Sequence, residues 1–174
     1  LDEQPSRSIK LDSPVINDNE LEMIRQGRLQ TATVSTLYIV EDGPGGLEKA
    51  LDALCDQADA AVKAGAEILI LSDRIDTQGN PATLSASQTY ISPLLAVGAV
   101  HHHLIGNGLR MRASLLVDTA QCWSTHHFAC LIGYGASAVC PYLALESVRH
   151  WWGNSKTQKF MKSGKLPVVL GLSC

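Results

Sequence analysis

Two histidine clusters, five cysteines and a few isolated carboxylates are the residues with which this chain could do chemistry. His101-His102-His103 and His126-His127 invite a metal. Consecutive helical residues point about 100° apart, however, so adjacent histidines cannot all face one ion. Helical metal pairs want i,i+3 or i,i+4 spacing, and neither cluster has it. Cys122, Cys130 and Cys140 are separated by seven and nine residues, whereas zinc and iron–sulfur sites usually hold two cysteines within about two to five. Cys130 and Cys140 read as small core residues. Cys122 and His126, one helical turn apart, could mimic a thiol–imidazole pair, but a catalytic thiolate also needs an activating environment, and both read as packing residues. No metal site is expected.

The carboxylates are more suggestive by place than by company. Asp73, Asp118 and Glu146 fall at or just beyond strand ends, where barrel enzymes keep catalytic groups. Asp73 and Arg74 could equally form a structural ion pair, and Glu146 lies inside the last helix. Gly43-Pro44-Gly45-Gly46 precedes a helix like a phosphate loop, but Glu48 stands where a dinucleotide fingerprint needs glycine. An acid at a helix N-terminus repels the anion such a loop exists to hold. The segment reads as a turn.

Elements that would position these residues follow from periodicity. The first 17 residues are polar, with Pro5 and Pro14, and read as an extended lead-in. Asn17 or Asp18 caps a short helix to about Gln26. Thr31 to Tyr38, rich in β-branched residues, predicts a strand, and Leu47 to Gly65 an amphipathic helix with one acidic face in water. Ile68 to Leu71 is a continuous apolar run, closed by Ser72-Asp73, that suits a strand buried on both faces. Residues 76–90 read as a polar loop. Pro93 starts a helix to about Ile105. Ala113 to Val117 predicts another strand with Asp118 at its end. Thr125 to Ile132 predicts a helix, Ala138 to Cys140 a short strand, and Tyr142 to Trp151 a helix. A basic helical tail follows from Asn154 to Lys165.

Four strand-then-helix units in succession imply parallel pairing through right-handed crossovers. The fold class expected is therefore α/β, as one parallel sheet or half of an eight-unit (β/α) barrel. The 174 residues suffice for one domain with a real core. Hydrophobic residues make up 45%, which excludes intrinsic disorder, and the net charge of −3 argues against indiscriminate nucleic-acid binding. Charge is unevenly spread. Residues 75–148 hold only Asp76, Arg110, Arg112, Asp118 and Glu146. So sparse a surface predicts cover by more protein, by self-association when the chain is alone. Two open strand edges on a half-barrel add to that expectation. No segment reads as a membrane helix or a signal peptide. Five cysteines, Cys55 and Cys174 among them, read as free thiols in a reducing compartment.

One stretch is distinctive: Pro93-Leu94-Leu95-Ala96-Val97-Gly98-Ala99-Val100-His101-His102-His103-Leu104-Ile105. With Ile68-Leu69-Ile70-Leu71-Ser72-Asp73-Arg74 before it and Thr125-His126-His127-Phe128 to Tyr142-Leu143-Ala144 after it, the chain resembles the central domain of glutamate synthase. The run from Gln121 to Ala138 is similar to the ferredoxin-dependent form of cyanobacteria and plastids. The resemblance extends from about Ile9 to Lys165.

What the resemblance implies is a large oxidoreductase of nitrogen assimilation. Its amidotransferase domain releases ammonia from glutamine, and its flavin domain makes glutamate from 2-oxoglutarate and that ammonia with reduced ferredoxin. The central domain links the two, in cyanobacterial cytoplasm or plastid stroma. The family's nucleophilic cysteine, FMN contacts and iron–sulfur cysteines map to its other domains. This chain is thus expected to be an inactive fragment, with no catalytic, cofactor-binding or metal-binding residue of its own. Its partners would be the amidotransferase and flavin domains of the parent, with ferredoxin as donor, and neither nucleic acid nor membrane. Arg74, His101, His102, His103, Trp123, His126 and His127 are expected at interfaces or in polar packing. The domain organisation expected is a lead-in over 1–17, a partial central domain over 18–165 and a tail over 166–174 that departs from the family pattern, as from a truncated frame. Lacking an initiating Met, the chain reads as a piece of something longer. The competing expectation is a small stand-alone barrel-type enzyme using Asp73, Asp118 and a histidine.

A residue-level feature agrees with the absence of flavin. Barrel flavoenzymes hold the FMN phosphate on glycine loops after late strands. Gly135-Ala136-Ser137-Ala138-Val139 resembles such a strand, but Cys140-Pro141-Tyr142 follows. Proline has no N–H to donate, and tyrosine blocks close backbone approach.

Overall fold

A capping box starts the first helix. The Asn17 side chain accepts the Glu20 N–H at 3.0 Å, and the Glu20 carboxylate accepts the Asn17 N–H at 2.7 Å. Helix α1 (Asp18–Arg25) follows, as the sequence predicts. The computed structural model describes residues 8–74 and 86–154, with 156, 158 and 159. In order come β1 (Thr31–Ser35), β2 (Leu37–Ile39), α2 (Gly46–Lys63), β3 (Ile68–Ser72), β4 (Gln88–Tyr90), α3 (Pro93–Gly106), β5 (Ser114–Asp118), α4 (Thr125–Gly133), β6 (Ala138–Cys140) and α5 (Tyr142–Gly153).

Strands β1, β3, β5 and β6 form one sheet in that order, parallel throughout. Each new strand is added on the same side of the last. With crossovers of one hand, that order sends every connecting helix to one face, the arrangement of a half-barrel. The core bears this out. Val34, Leu69, Leu71, Leu115, Val117 and Val139 point to the outer face, where they cluster with buried residues of α2, α3 and α4. Ile68, Ile70, Leu116, Ala138 and Cys140 point to the inner face, covered by Ile16 and by Leu21 and Ile24 of α1. Helix α1 thus lies where a full barrel would close on itself.

Two expectations need correction. The strand expected to run to Tyr38 breaks at Thr36. Its N–H donates to Ser72 O at 2.9 Å, and its own carbonyl accepts the Ile91 N–H at 2.8 Å, which turns the chain away. Residues 37–39 then pair antiparallel with β4, inside the segment expected as loop. Second, only one edge of the half-barrel lacks a strand neighbour among the described residues. Pro14 to Ile16, in the expected lead-in, run parallel to β6 and exchange backbone bonds with Val139 at 2.8 and 2.9 Å. The Gly43 segment is a turn as expected, a 3-10 turn over Val40–Gly45. Of the expected helical tail, Lys156, Gln158 and Lys159 are helical. Asp76, Cys174, residues 1–7 and the 166–174 segment lie outside the described residues.

Candidate functional site

The C-terminal strand ends carry a layer set by sheet register. Ser35, Ser72, Asp118 and Cys140 are mutual partners across four strands, all on the inner face and all buried. Below them on the same face Ile70, Leu116 and Ala138 stand in one row, with Thr33 at its β1 end. Strand alternation therefore places the only carboxylate of β5 at the top of the half-barrel interior, fully buried.

A buried carboxylate needs partners, and Asp118 has them. Ser72 Oγ donates to its Oδ2 at 2.8 Å, and Arg74 donates from Nε and Nη2 at 2.9 and 2.7 Å in a two-pronged fork. Arg74 reaches on to Asp18 of α1 at 2.9 Å and lies over the Tyr142 ring, 4.3 Å from its centroid. Burial disfavours the Arg74 cation, but the Asp118 bonds outweigh it and hold the guanidinium charged. Arg149 of α5 donates to the other oxygen of Asp18 at 3.0 Å. Burial alone would raise the Asp18 carboxyl; the bonds from Arg74 and Arg149 outweigh it and hold it below its usual range. Arg25 of α1 completes the cluster, 3.7 Å from Asp118. Two carboxylates, Asp18 and Asp118, thus tie α1, α5 and two strand ends together.

Asp73 does not pair with Arg74, contrary to the adjacent-ion-pair expectation, because neighbouring residues at the strand end diverge. It turns to the next loop and helix instead. Thr119 Oγ1 donates to it at 2.6 Å, the Ala120 N–H at 3.0 Å and the Tyr142 hydroxyl at 2.8 Å. Burial lifts the Asp73 carboxyl above its ordinary value, beyond what these donors offset. Burial, then Asp73, also pushes the Tyr142 phenol up. The position after β6, where a flavin barrel presents a phosphate loop, is filled by a Tyr142 side chain bonded inward. The residues here do not fit a flavin phosphate. Glu146 faces away and pairs with Arg149 at 3.2 Å.

His101 to His103 and His126 to His127 lie on the outer helices α3 and α4, and none of the hydrogen bonds described for Asp73 or Asp118 comes from a histidine. His101 Nδ1 accepts from Arg110 Nε at 2.9 Å, while Arg110 also binds the Ala113 and Gly135 carbonyls, each at 2.8 Å. Burial, then Arg110, pushes His101 down, so the ring is neutral and accepting. Gly135 is required here. Its φ is +115°, and a Cβ would collide with the His101 ring. His102 meets His101 edge to face. His103 Nε2 lies 3.0 Å from Asn107 Nδ2. His127 Nδ1 accepts the Trp123 N–H at 3.1 Å, while the Trp123 ring is half exposed.

The Cys122–His126 pair that the spacing would allow does not form, in line with the packing reading. Cys122 is buried, and burial pushes its thiol up to about 11. His126 instead faces Cys130, with Sγ and Nε2 3.5 Å apart, and Cys130 is only half-buried rather than in the core. Cys140 is buried at the ion cluster, where Arg74 Nη2 donates to its sulfur at 3.7 Å. The three sulfurs thus have three separate environments. Among the described residues, no three His, Cys, Asp or Glu side chains gather as a metal would need, and no helix is long and apolar enough to cross a membrane. Sequence reasoning missed Asp18, Arg25 and Arg149. The one local sign was the acidic first turn of α1, and it says nothing of partners.

Comparison with known proteins gives the family to which this chain belongs. Over 163 residues the chain is 63% identical to ferredoxin-dependent glutamate synthase 2 of Synechocystis sp., covering 94% of the chain and 10% of that protein. It is 54% identical over 169 residues to ferredoxin-dependent glutamate synthase of Pyropia yezoensis, covering 96% and 11%. To the chloroplastic enzyme of Oryza sativa subsp. japonica it is 52% identical over 163 residues, covering 92% and 10%. The chain therefore spans about a tenth of the length of these relatives. The profile of the glutamate synthase central domain matches residues 1–168, and the chain belongs to that family.

Proposed function

We propose that this chain is the non-catalytic scaffold part of a ferredoxin-dependent glutamate synthase. In that enzyme it stands between an amidotransferase domain, which releases ammonia from glutamine, and a flavin domain, which makes glutamate from 2-oxoglutarate. One observation carries the reading. At the strand ends, where a barrel enzyme would aim charged groups at substrate, Asp73, Arg74, Asp118 and Tyr142 are spent on one another. Among the described residues, four cavities of about 380 to 510 Å³ are lined by other side chains than these four. That also weighs against a stand-alone enzyme using Asp73, Asp118 and a histidine.

The FMN and iron–sulfur cluster that the family implies belong, in this reading, to other parts of the parent, as does the contact with ferredoxin. The domain proper runs from about Pro14, where the chain joins β6, to about residue 165, with the residues before Pro14 leading in and 169–174 beyond the matched family profile. The chloroplastic and cyanobacterial relatives support a place in plastid stroma or cyanobacterial cytoplasm. Arg74, His101, His103 and His127 serve polar packing, whereas Trp123 serves an interface. Taken alone, the chain self-associates through exposed Trp123, Tyr134, Val148 and Trp152. Light scattering would show this as a mass above the 18.7 kDa of one chain.

The decisive experiment uses the full-length enzyme with Asp73→Asn or Asp118→Asn. A scaffold role predicts a lower melting temperature with kcat kept within about threefold, measured below the melt. Loss of kcat by orders of magnitude at unchanged stability would make these residues catalytic and overturn the reading.

A further inference from the structure

Cys130 and His126 stand one turn apart on α4 and line a cavity of about 510 Å³. Its other walls are Tyr90, Pro93, Leu94 and Leu131, with the polar Ser92, Gln121 and His127 among them; apolar surface predominates, and the cavity lies between the start of α3 and α4. Geometry separates this thiol from the others described. Cys55, Cys122 and Cys140 are buried, whereas Cys130 is half-buried at a cavity wall. Burial also pushes the Cys122 and Cys140 thiols up, to about 11 and about 12, which keeps them protonated and inert. His127 is held by the Trp123 backbone, leaving the exposed His126 ring to the sulfur. A nucleophile, a base 3.5 Å away and an apolar cavity beside them are the parts of a covalent capture site.

We propose that the α3–α4 cavity captures small α,β-unsaturated carbonyl compounds carrying a short alkyl tail, with Cys130 as nucleophile and His126 as its proton acceptor. The Sγ proton passes to His126 Nε2. Sγ then forms a bond to the β-carbon of the alkene as the π pair moves to an enolate. The α-carbon of that enolate takes the proton back from the imidazolium. Thiol and alkenal become one thioether, with no oxidant or reductant consumed. Leu94 and Leu131 cover the tail, and each methylene buried adds roughly fourfold in affinity. A purely polar electrophile gains nothing from such walls.

The test treats the full 174-residue chain with 2-hexenal, with the shorter 2-butenal, and with iodoacetamide, and reads modification peptide by peptide so that Cys174 is scored separately. Cys130 should react at least about tenfold faster than Cys55, Cys122 and Cys140, and faster with 2-hexenal than with 2-butenal. His126→Gln should slow Cys130 about tenfold with both alkenals while leaving the thermal melt in place. Leu94→Asn should erase the preference for the longer tail while Cys130 still reacts with iodoacetamide. Equal Cys130 rates with and without His126 would overturn the proposal. So would the absence of any tail preference in the unsubstituted chain, or reaction no faster than at the buried cysteines.

Discussion

The two faces of the four-stranded sheet are built from the same strands but held by different physics. The outer face is apolar from end to end, with Leu69, Leu71, Leu115, Val117 and Val139 buried under three helices. The inner face is mixed, with Ile68, Ile70, Leu116 and Ala138 apolar below and Thr31, Thr33 and Ser114 at the margins. Its top row is Ser35, Ser72, Asp118 and Cys140, covered by one short helix and locked by guanidiniums. Three amphipathic helices supply enough apolar surface to seal a face by burial alone. Helix α1, eight residues long with two buried side chains, does not. Directional ion pairs then fix where it sits. A charged lock is easier to break by leaving one half of it unpaired than by removing both halves.

The largest effect should come from the apolar face. Leu115→Ala removes a fully buried side chain under the helices and should cost about 3–4 kcal/mol in urea unfolding. A loss under about 1 kcal/mol would mean that the outer layer collapses freely onto the gap. Next is Asp118→Ala, which orphans a guanidinium that is about a third exposed and keeps Asp18. The loss should be about 2–3 kcal/mol, discounted for that exposure. Adding Arg74→Met should recover part of it, since no unpaired charge remains. If the double variant is no better than Asp118→Ala alone, the orphaned-charge account fails.

Smaller still, Tyr142→Phe removes one donor from Asp73 and should cost about 1 kcal/mol. A null result would show that water replaces the hydroxyl. The subtlest contrast is in pH dependence. Asp73 has a folded-state pKa raised by burial. Its contribution is therefore fully present below the ordinary carboxylate pKa of about 3.9 and is lost as pH rises through the folded value. Asp18 is shifted the other way, so its contribution is present above the ordinary value and lost as pH falls through the folded one. Asp73→Asn should make stability rise more steeply with pH in the weakly acidic range, because the opposing term is gone. Unfolding midpoints of both proteins, taken across that range, check the slope. Parallel curves would remove Asp73 from the balance.

Much of this fold is legible residue by residue. Continuous apolar runs such as Ile68 to Leu71 announce strands covered on both faces, and Pro93 and Asn17 mark helix starts within a residue. Strand β4 is not legible. Three residues in a polar segment carry no periodicity, and only the break at Thr36 brings β2 to them. The site was half visible. Asp73, Arg74 and Asp118 are placed by strand ends, yet which of them pair is a matter of side-chain direction. His126 belonged to a thiol pair, but with the cysteine four residues after it rather than the one four before.

By itself the sequence determined the order of the helices and of the four parallel strands, their pairing sense and the charge-poor second half, because these rest on short-range periodicity and composition. Tertiary structure alone decided that α1 would cover the inner face, that Pro14 to Ile16 would run along β6, and that Asp18 would stand between Arg74 and Arg149. Arg74 and Asp118 are 44 residues apart, Asp18 and Arg149 131. No local pattern encodes such distances. Charges so far apart meet only when the sheet, closing in register, brings its strand ends to one layer and leaves a buried carboxylate in need of a cation.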